Sequence, residues 1–442
     1  MRIFTFKPAA ALAVAASALL AGPAAAGIEI AEETSPAGIV FWHVEEPSIP
    51  MVALEVRFEG GAALDPAGLA GLSRMTVDML DEGAGDLDAT AFAAEADALS
   101  MRMGFSAGRD ATSISARFLT ETLTPAAALL AEALAAPRFD ADALDRVRAR
   151  MLSSIASSET DPGTLARDAW YVSAFAGHPY AIPARGTAES VAAVTLEDLA
   201  AQVPRLMSRD RAIVAVVGAI DAAAAGVLID QVLAGLPETA PADAVIPPVP
   251  AVAPPAGVEV IELDVPQATA LFGHGGLERS DPDYIPAFVM NYVLGGGGFS
   301  SRLMTEVREK RGLAYGVYSY LSDLEGAPLY LGSVQTENAR IAESLSVIRA
   351  EWARMAAEGV TDEELADAKR YLTGAFPLRF DTNAKIAGFM IRAQQAGLSR
   401  DYVDLRNGLI EAVTREDIAR VAARLLDEEA LSVVVVGTPE GL

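Results

Sequence analysis

Val194-Thr195-Leu196-Glu197-Asp198-Leu199-Ala200 and Val413-Thr414-Arg415-Glu416-Asp417-Ile418-Ala419 are two copies of one pattern, offset by 219 residues. Each copy runs without a gap into a strand, Val214-Ala215-Val216-Val217-Gly218 in the first and Val433-Val434-Val435-Val436-Gly437 in the second, and 11 of the 25 aligned positions are identical. A threonine followed two residues later by glutamate is close to the capping box that starts a helix. Working outward, Asp65-Pro66 and Asp281-Pro282 open comparable helices, the first expected to run to about Leu80. An internal repeat of this length means two homologous domains. Between them, residues 237–256 are rich in proline (Pro237, Pro241, Pro247, Pro248, Pro250, Pro254, Pro255) and cannot build a core of their own. The expected layout is therefore a leader at 1–26, a first domain at 27–236, a linker at 237–256 and a second domain at 257–442. Strands and helices come in runs rather than strict alternation, so the fold class is α+β, each domain a mostly antiparallel sheet with helices packed on it.

Alternating apolar runs place strands at 39–44 and 52–58, a hairpin at 101–107 and 111–118, and a buried strand at 211–218. Alanine-rich helices are expected over about 122–136, 140–158, 161–175 and 195–206. Asp88 or Thr90 caps the helix that ends near Leu99.

The composition excludes several classes. The 442-residue chain carries 60 acidic and 34 basic residues, a net charge of −26, which argues against nucleic acid. Such a balance favours cationic over anionic ligands. Arg2, Lys7, the apolar stretch Ala9–Ala21 and Ala24-Ala25-Ala26 form a secretory leader cleaved near Ala26, which implies a periplasmic or secreted protein. With no cysteine there is no lipoprotein anchor and no disulfide framework. No later apolar run is long enough for stable membrane insertion.

The chemistry is concentrated in Gly295-Gly296-Gly297-Gly298-Phe299-Ser300-Ser301-Arg302-Leu303, continuing to Arg308-Glu309-Lys310-Arg311-Gly312-Leu313-Ala314-Tyr315. This reads as a glycine turn, a short helix capped by Ser300 or Ser301, a stop at Gly312 and the start of a strand. Arg308 and Tyr315 then share one mouth and can together grip a peptide carbonyl or its oxyanion. The glycine run lacks the Gly-Lys-Ser/Thr ending of a phosphate loop. The three histidines, His43, His178 and His274, have no partner at metal-binding spacing, and no Gly-x-Ser-x-Gly nucleophile is present.

The repeat, the linker and the glycine-led helix with Arg308 and Tyr315 resemble the pitrilysin/insulinase (processing-peptidase) superfamily over about residues 30–440. Zinc-bearing members carry Gly-Leu-Ala and then His-x-x-Glu-His, with a glutamate on a later helix. Here Gly68-Leu69-Ala70 is followed by Gly71-Leu72-Ser73-Arg74-Met75. Gly71 and Met75 stand at the two histidine positions, Arg74 at the general base, and Ser154 at the third ligand. The resemblance implies no metal and no cofactor in this chain, and zinc in a partner. Arg308 and Tyr315 match the arginine and tyrosine that such enzymes set opposite the zinc to hold the substrate main chain and stabilise the tetrahedral intermediate. The implied role is the non-zinc subunit of a peptidase heterodimer, half of a clamshell closing on unfolded peptides, inactive without a homologous His-x-x-Glu-His subunit. The alternatives are an inert structural or peptide-binding subunit, and a self-sufficient hydrolase with another metal site.

Overall fold

The computed structural model describes residues 28–249, 251–252 and 254–442. The expected leader, residues 1–26, with Gly27, and Pro250 and Ala253 of the linker lie outside the described residues. The first half builds a six-stranded sheet from β1 (Ala31–Thr34), β2 (Val40–Glu45), β3 (Met51–Glu59), β6 (Arg102–Ala107), β7 (Ala111–Leu119) and β8 (Ala212–Gly218), with a small separate ladder of β4 (Gly83–Ala84) and β5 (Leu87–Asp88). The second half builds a five-stranded sheet from β9 (Gly257–Glu262), β10 (Gln267–Gly275), β11 (Ala314–Ser322), β12 (Leu329–Glu337) and β13 (Ser432–Gly437).

The strand orders are β1-β2-β8-β3-β7-β6 and β11-β12-β10-β13-β9. Read from opposite ends they superpose: β6 on β11, β7 on β12, β3 on β10, β8 on β13 and β2 on β9. Each sheet has one parallel pair, β2 with β8 and β9 with β13, in an otherwise antiparallel ladder. The internal repeat is thus one supersecondary unit built twice, and the α+β expectation is met. Both matching helices, Leu196–Leu206 and Arg415–Leu425, begin in capping boxes. The partner that closes each box is the aspartate three residues on, Asp198 or Asp417, rather than Glu197 or Glu416. The third helical position is where a side chain can reach back to the cap N–H.

Each sheet packs its own helices on one face and borrows a helix from the other half for the opposite face. The Leu123–Ala135 and Ala222–Leu233 helices cover Leu54, Val56, Phe118 and Val216 of the first sheet. The other face of that sheet, with Trp42, Ala53 and Val217, is covered by Ile386, Ala387 and Met390 of the Asn383–Gln395 helix. In return the Pro162–Ala174 helix lays Ala166, Trp170 and Tyr171 on Leu271, Leu331 and Val434 of the second sheet. Trp170 Nε1 donates to the Ser432 carbonyl at 3.3 Å, and Gln394 Nε2 to Val214 at 3.1 Å. Burying a large apolar side chain stabilises by about 1.5–3 kcal/mol, so the exchange ties the halves together through two cores. The proline segment also lies against the protein: Ala244 is buried, Arg211 donates to the Ala244 carbonyl and His178 Nε2 sits 3.0 Å from the Pro247 carbonyl.

One expected element is different. The helix placed from Asp65 to about Leu80 is shortened to Leu72–Val77. Asp65 is extended, and its carboxylate accepts from Gly71 N and Ser73 N, each at 2.8 Å, across the intervening loop. An aspartate that can bond backbone amides several residues ahead favours a turn over a helical start.

Candidate active-site mouth and the vacated metal corner

The glycine run works by close approach. A side chain on Gly295 would meet Ser319 Oγ at 2.3 Å and Ser319 N at 2.7 Å, so the chain at Gly295 lies directly on β11. After it, Ser301 caps the next helix, its Oγ accepting from Met304 N at 3.4 Å; of the two serines considered, this is the one that does so. That helix is wound wide, with π-type turns over Met304–Glu309. It ends where Gly312, at φ 60°, donates to the Arg308 carbonyl and Leu313 N to the Val307 carbonyl, 2.9 and 2.8 Å. π-type turns are rare and gather at functional sites.

The basic residues of this helix divide sharply. Arg302 is buried and forked onto Glu364, at 2.6 and 2.7 Å, with a third bond to the Gly359 carbonyl. Burial raises the Glu364 carboxyl, but the Arg302 and Thr361 hydrogen bonds outweigh it and hold it at about 2. Lys310 and Arg311 both bind Glu306, at 2.7 and 2.6 Å, and hold that carboxyl below its usual range. Arg308 alone has no carboxylate partner among the described residues. Its guanidinium carbon sits 4.6 Å from the ring centres of both Phe299 and Tyr315. Aromatic faces hold a guanidinium while leaving its in-plane N–H groups free to donate.

Tyr315 owes its direction to a β-bulge. By simple alternation it would share the inward face of Val317 and Ser319, which are 1% and 2% exposed. The β11–β12 register slips between Ala314 and Gly316, and Tyr315 is the extra residue, 84% exposed. Bulges re-aim side chains in this way beside active sites. Tyr318 and Tyr320 continue along the edge strand, stacked with centroids 6.1 Å apart. Arg308 and Tyr315, expected at one mouth, are brought together there. Phe299 completes the clamp, and no motif marks it: its exposure in a glycine run is visible only in three dimensions.

The corner where a metal is expected by resemblance is filled differently. Gly71 adopts φ 90°, and a Cβ there would lie 2.8 Å from the Arg185 carbonyl and 3.1 Å from Gly186 Cα. Met75 is fully buried among Leu72, Val147 and Met151. Arg74 turns outward to Asp78, Nε to Oδ2 at 2.9 Å. Ser154 is exposed on the Ala141–Ser158 helix. Gly71 and Met75 have thus been absorbed into packing, while Arg74 and Ser154 line a cavity of about 270 Å³. These residues do not fit a zinc ion: a glycine offers no ligand, the thioether is sealed in the core and an arginine brings positive charge. Among the described residues no group of three or more His, Cys, Asp or Glu is placed to hold a metal.

All three histidines are buried. His43 contacts the Ile220 carbonyl at 3.0 Å, His178 accepts from Tyr180 N at 3.1 Å, and His274 is met by Trp352 Nε1 at 3.3 Å. Among the described residues no helix is long and apolar enough to cross a membrane.

With this geometry in place, the comparisons define the class. Residues 41–188 match the insulinase peptidase family M16, and residues 193–372 match the peptidase M16 inactive domain. The chain belongs to peptidase family M16. A non-peptidase homologue from Helicobacter pylori is 29% identical over 352 residues, covering 79% of this chain and 81% of that protein. A crystal structure of a peptidase M16 inactive domain from Pseudomonas fluorescens is 30% identical, with TM-score 0.86 over 93% of this chain and 98% of that one. A probable mitochondrial-processing peptidase subunit beta from Schizosaccharomyces pombe is 27% identical, covering 76% of this chain and 75% of that protein. The inactive-domain match falls on residues 193–372, whereas the residues that do not fit a zinc ion lie in the first half, which matches the insulinase model.

Proposed function

We propose that this chain is the non-zinc subunit of a periplasmic M16 peptidase pair, in which Arg308 and Tyr315 hold an extended peptide and stabilise negative charge on its carbonyl. The observation that carries this reading is the division among the basic residues: Arg302, Lys310 and Arg311 have carboxylate partners, whereas Arg308 is held by two exposed rings and has no carboxylate partner among the described residues. A cation left without a carboxylate among the described residues, beside a tyrosine that a β-bulge turns outward, suits a ligand that supplies the acceptor. Arg308 offers in-plane donors to a main-chain carbonyl, and the Tyr315 hydroxyl offers a second. The Tyr318 and Tyr320 rings on the same edge supply surface for neighbouring residues of the peptide. Metal and general base would come from a homologous His-x-x-Glu-His subunit, since this chain's own corner has no ligands to offer.

The test is reconstitution. The purified chain alone is expected to leave unfolded peptides intact, and addition of the zinc-bearing subunit is expected to produce cleavage that the Arg308→Ala/Tyr315→Phe chain does not support. Undiminished turnover with that double variant would overturn the assignment. The second reading, an inert structural or peptide-binding subunit, is favoured by the likeness to a non-peptidase homologue. Under it, capture from periplasmic extract brings down no His-x-x-Glu-His protein.

A further inference from the structure

The vacated metal corner has become a pocket with a chemistry of its own. Arg74, Arg150 and Arg185 line the cavity of about 270 Å³, with Asp78 as its sole acid, in a chain whose acidic residues outnumber the basic ones. Asp78 is already committed to Arg74 Nε, which leaves both terminal nitrogens of Arg74 without an acceptor among the described residues. Arg150 makes one long contact, 3.5 Å to Glu82, and Glu82 is shared with Arg146 at 3.1 Å. Arg185 places both terminal nitrogens on Asp168, and its Nε is buried with no partner among the described residues. The exposed Ser154 hydroxyl completes the wall. What remains unspent in this pocket is almost entirely N–H and O–H. A cluster of donors without acceptors binds an oxyanion, and planar guanidinium groups match a carboxylate in particular.

The pocket also has an approach. Ala107, the last residue of β6, is part of its lining. Among the described residues β6 is an edge strand with one sheet neighbour, β7, so one row of its backbone donors and acceptors is unpaired there. An extended peptide can pair along such an edge, with alternate side chains directed to flanking pockets. The geometry points to a carboxylate site: a peptide lying on β6 sets an acidic side chain, or its C-terminal carboxylate, among Arg74, Arg150 and Arg185. This reverses locally the preference for cationic ligands that the net charge implies. It gives the first domain a role in selecting acidic peptides, one that needs neither a metal nor Arg308.

Fluorescence anisotropy with the full chain tests this, using three labelled extended peptides of otherwise equal sequence: one with a single Glu and an amidated C-terminus, one with Gln there, and one with Gln and a free C-terminal carboxylate. The Glu peptide, the free-carboxylate peptide or both are expected to bind at least about tenfold more tightly than the neutral one, the scale of a single charge-assisted contact; which of them does so identifies the source of the carboxylate. In the Arg74→Gln/Arg150→Gln chain the preference is expected to fall to near unity with an unchanged Tm, since both side chains are about half exposed. Ser154→Asp, which puts a carboxylate into the same space from an exposed position, is expected to abolish it by another route. The reconstitution assay with the Arg308→Ala/Tyr315→Phe chain reads the proposed subunit role without these peptides, so that failure here and failure of that role are separate results. Equal affinity for acidic and neutral peptides, no binding of any of them, or a preference that survives both pocket variants would overturn the assignment. So would saturable binding of inorganic phosphate without discrimination among the peptides.

Discussion

Two corners of this molecule come from the same repeated unit and have been filled in opposite ways. In the second half, Gly312 at φ 60° leads into edge strand β11; in the first, Ser100 at φ 52° leads into the matching edge strand β6. Beside β11, an exposed tyrosine, an exposed phenylalanine and an arginine without a carboxylate partner among the described residues stand together. Beside β6, Met75 lies in the core and Gly71 is wedged under the Arg185–Gly186 backbone. The difference teaches how to recognise a retained site. On the proposed reading, groups kept for a ligand leave valences open and apolar surface in water, while two of the groups released from one, Gly71 and Met75, are drawn into the nearest packing.

The comparison can be broken most forcefully by trying to rebuild the lost corner. Gly71→His/Arg74→Glu/Met75→His restores the family pattern in sequence, yet it places a side chain at φ 90° against backbone and an imidazole in an apolar core. The expected loss is more than about 4 kcal/mol in urea unfolding, with no stoichiometric zinc by elemental analysis. One zinc per chain at unchanged stability would show that the corner is still open.

Next in size is the mouth. In the complex with a zinc-bearing subunit, Arg308→Ala is expected to lower kcat about 10²–10³-fold, the scale of one lost oxyanion donor. The same variant is expected to change unfolding free energy by less than about 0.5 kcal/mol, because Arg308 forms no ion pair. A large stability loss with little effect on turnover would move the pair from function to packing.

The third prediction concerns the brace beneath the mouth. Arg302 and Glu364 pin the helix that carries Arg308 to the Asp362–Gly374 helix. The Glu364 carboxyl is held at about 2, below its ordinary value near 4.5, so the stabilisation it contributes is complete above the ordinary value and is lost as the pH falls towards 2. Glu364→Gln is expected to lower the Tm at pH 7 and to flatten its decline between about pH 4.5 and 2, read by circular dichroism. A parallel pH profile in the two proteins would show that the pair does not hold the helix. The smallest effect is expected from Phe299→Ala, which removes one of the two rings on Arg308: about a threefold loss in kcat/KM, in line with one exposed cation–π contact, and no change in Tm.

Much of the fold was legible because it rests on local rules. The hairpin of β6 and β7, the helices Leu123–Ala135 and Ala141–Ser158 and the strand Ala212–Gly218 follow apolar periodicity. The duplicated Val-Thr-x-Glu-Asp pattern carried the repeat. The helix expected from Asp65 failed because Asp65 bonds amides beyond the turn, a choice that periodicity does not record. At the mouth, Arg308 and Tyr315 were legible from spacing, but the bulge that frees Tyr315 and the ring of Phe299 were not. At the other corner, Arg185 lies more than a hundred residues from Gly71 and Arg74, with no motif linking them.

By itself the amino-acid sequence determined that the chain is two copies of one α+β unit, and its resemblance to the family marked Gly71, Arg74, Met75 and Ser154 as substituted metal positions and Arg308 and Tyr315 as the pair to test. These follow from residue identity and from contacts within a few turns of chain. Only the tertiary structure decided that each half lends a helix to the other's sheet, that Gly71 is sealed against Gly186 and that three distant arginines line one cavity. Such contacts join residues far apart in the chain, where shape complementarity rather than any repeating pattern selects the partner.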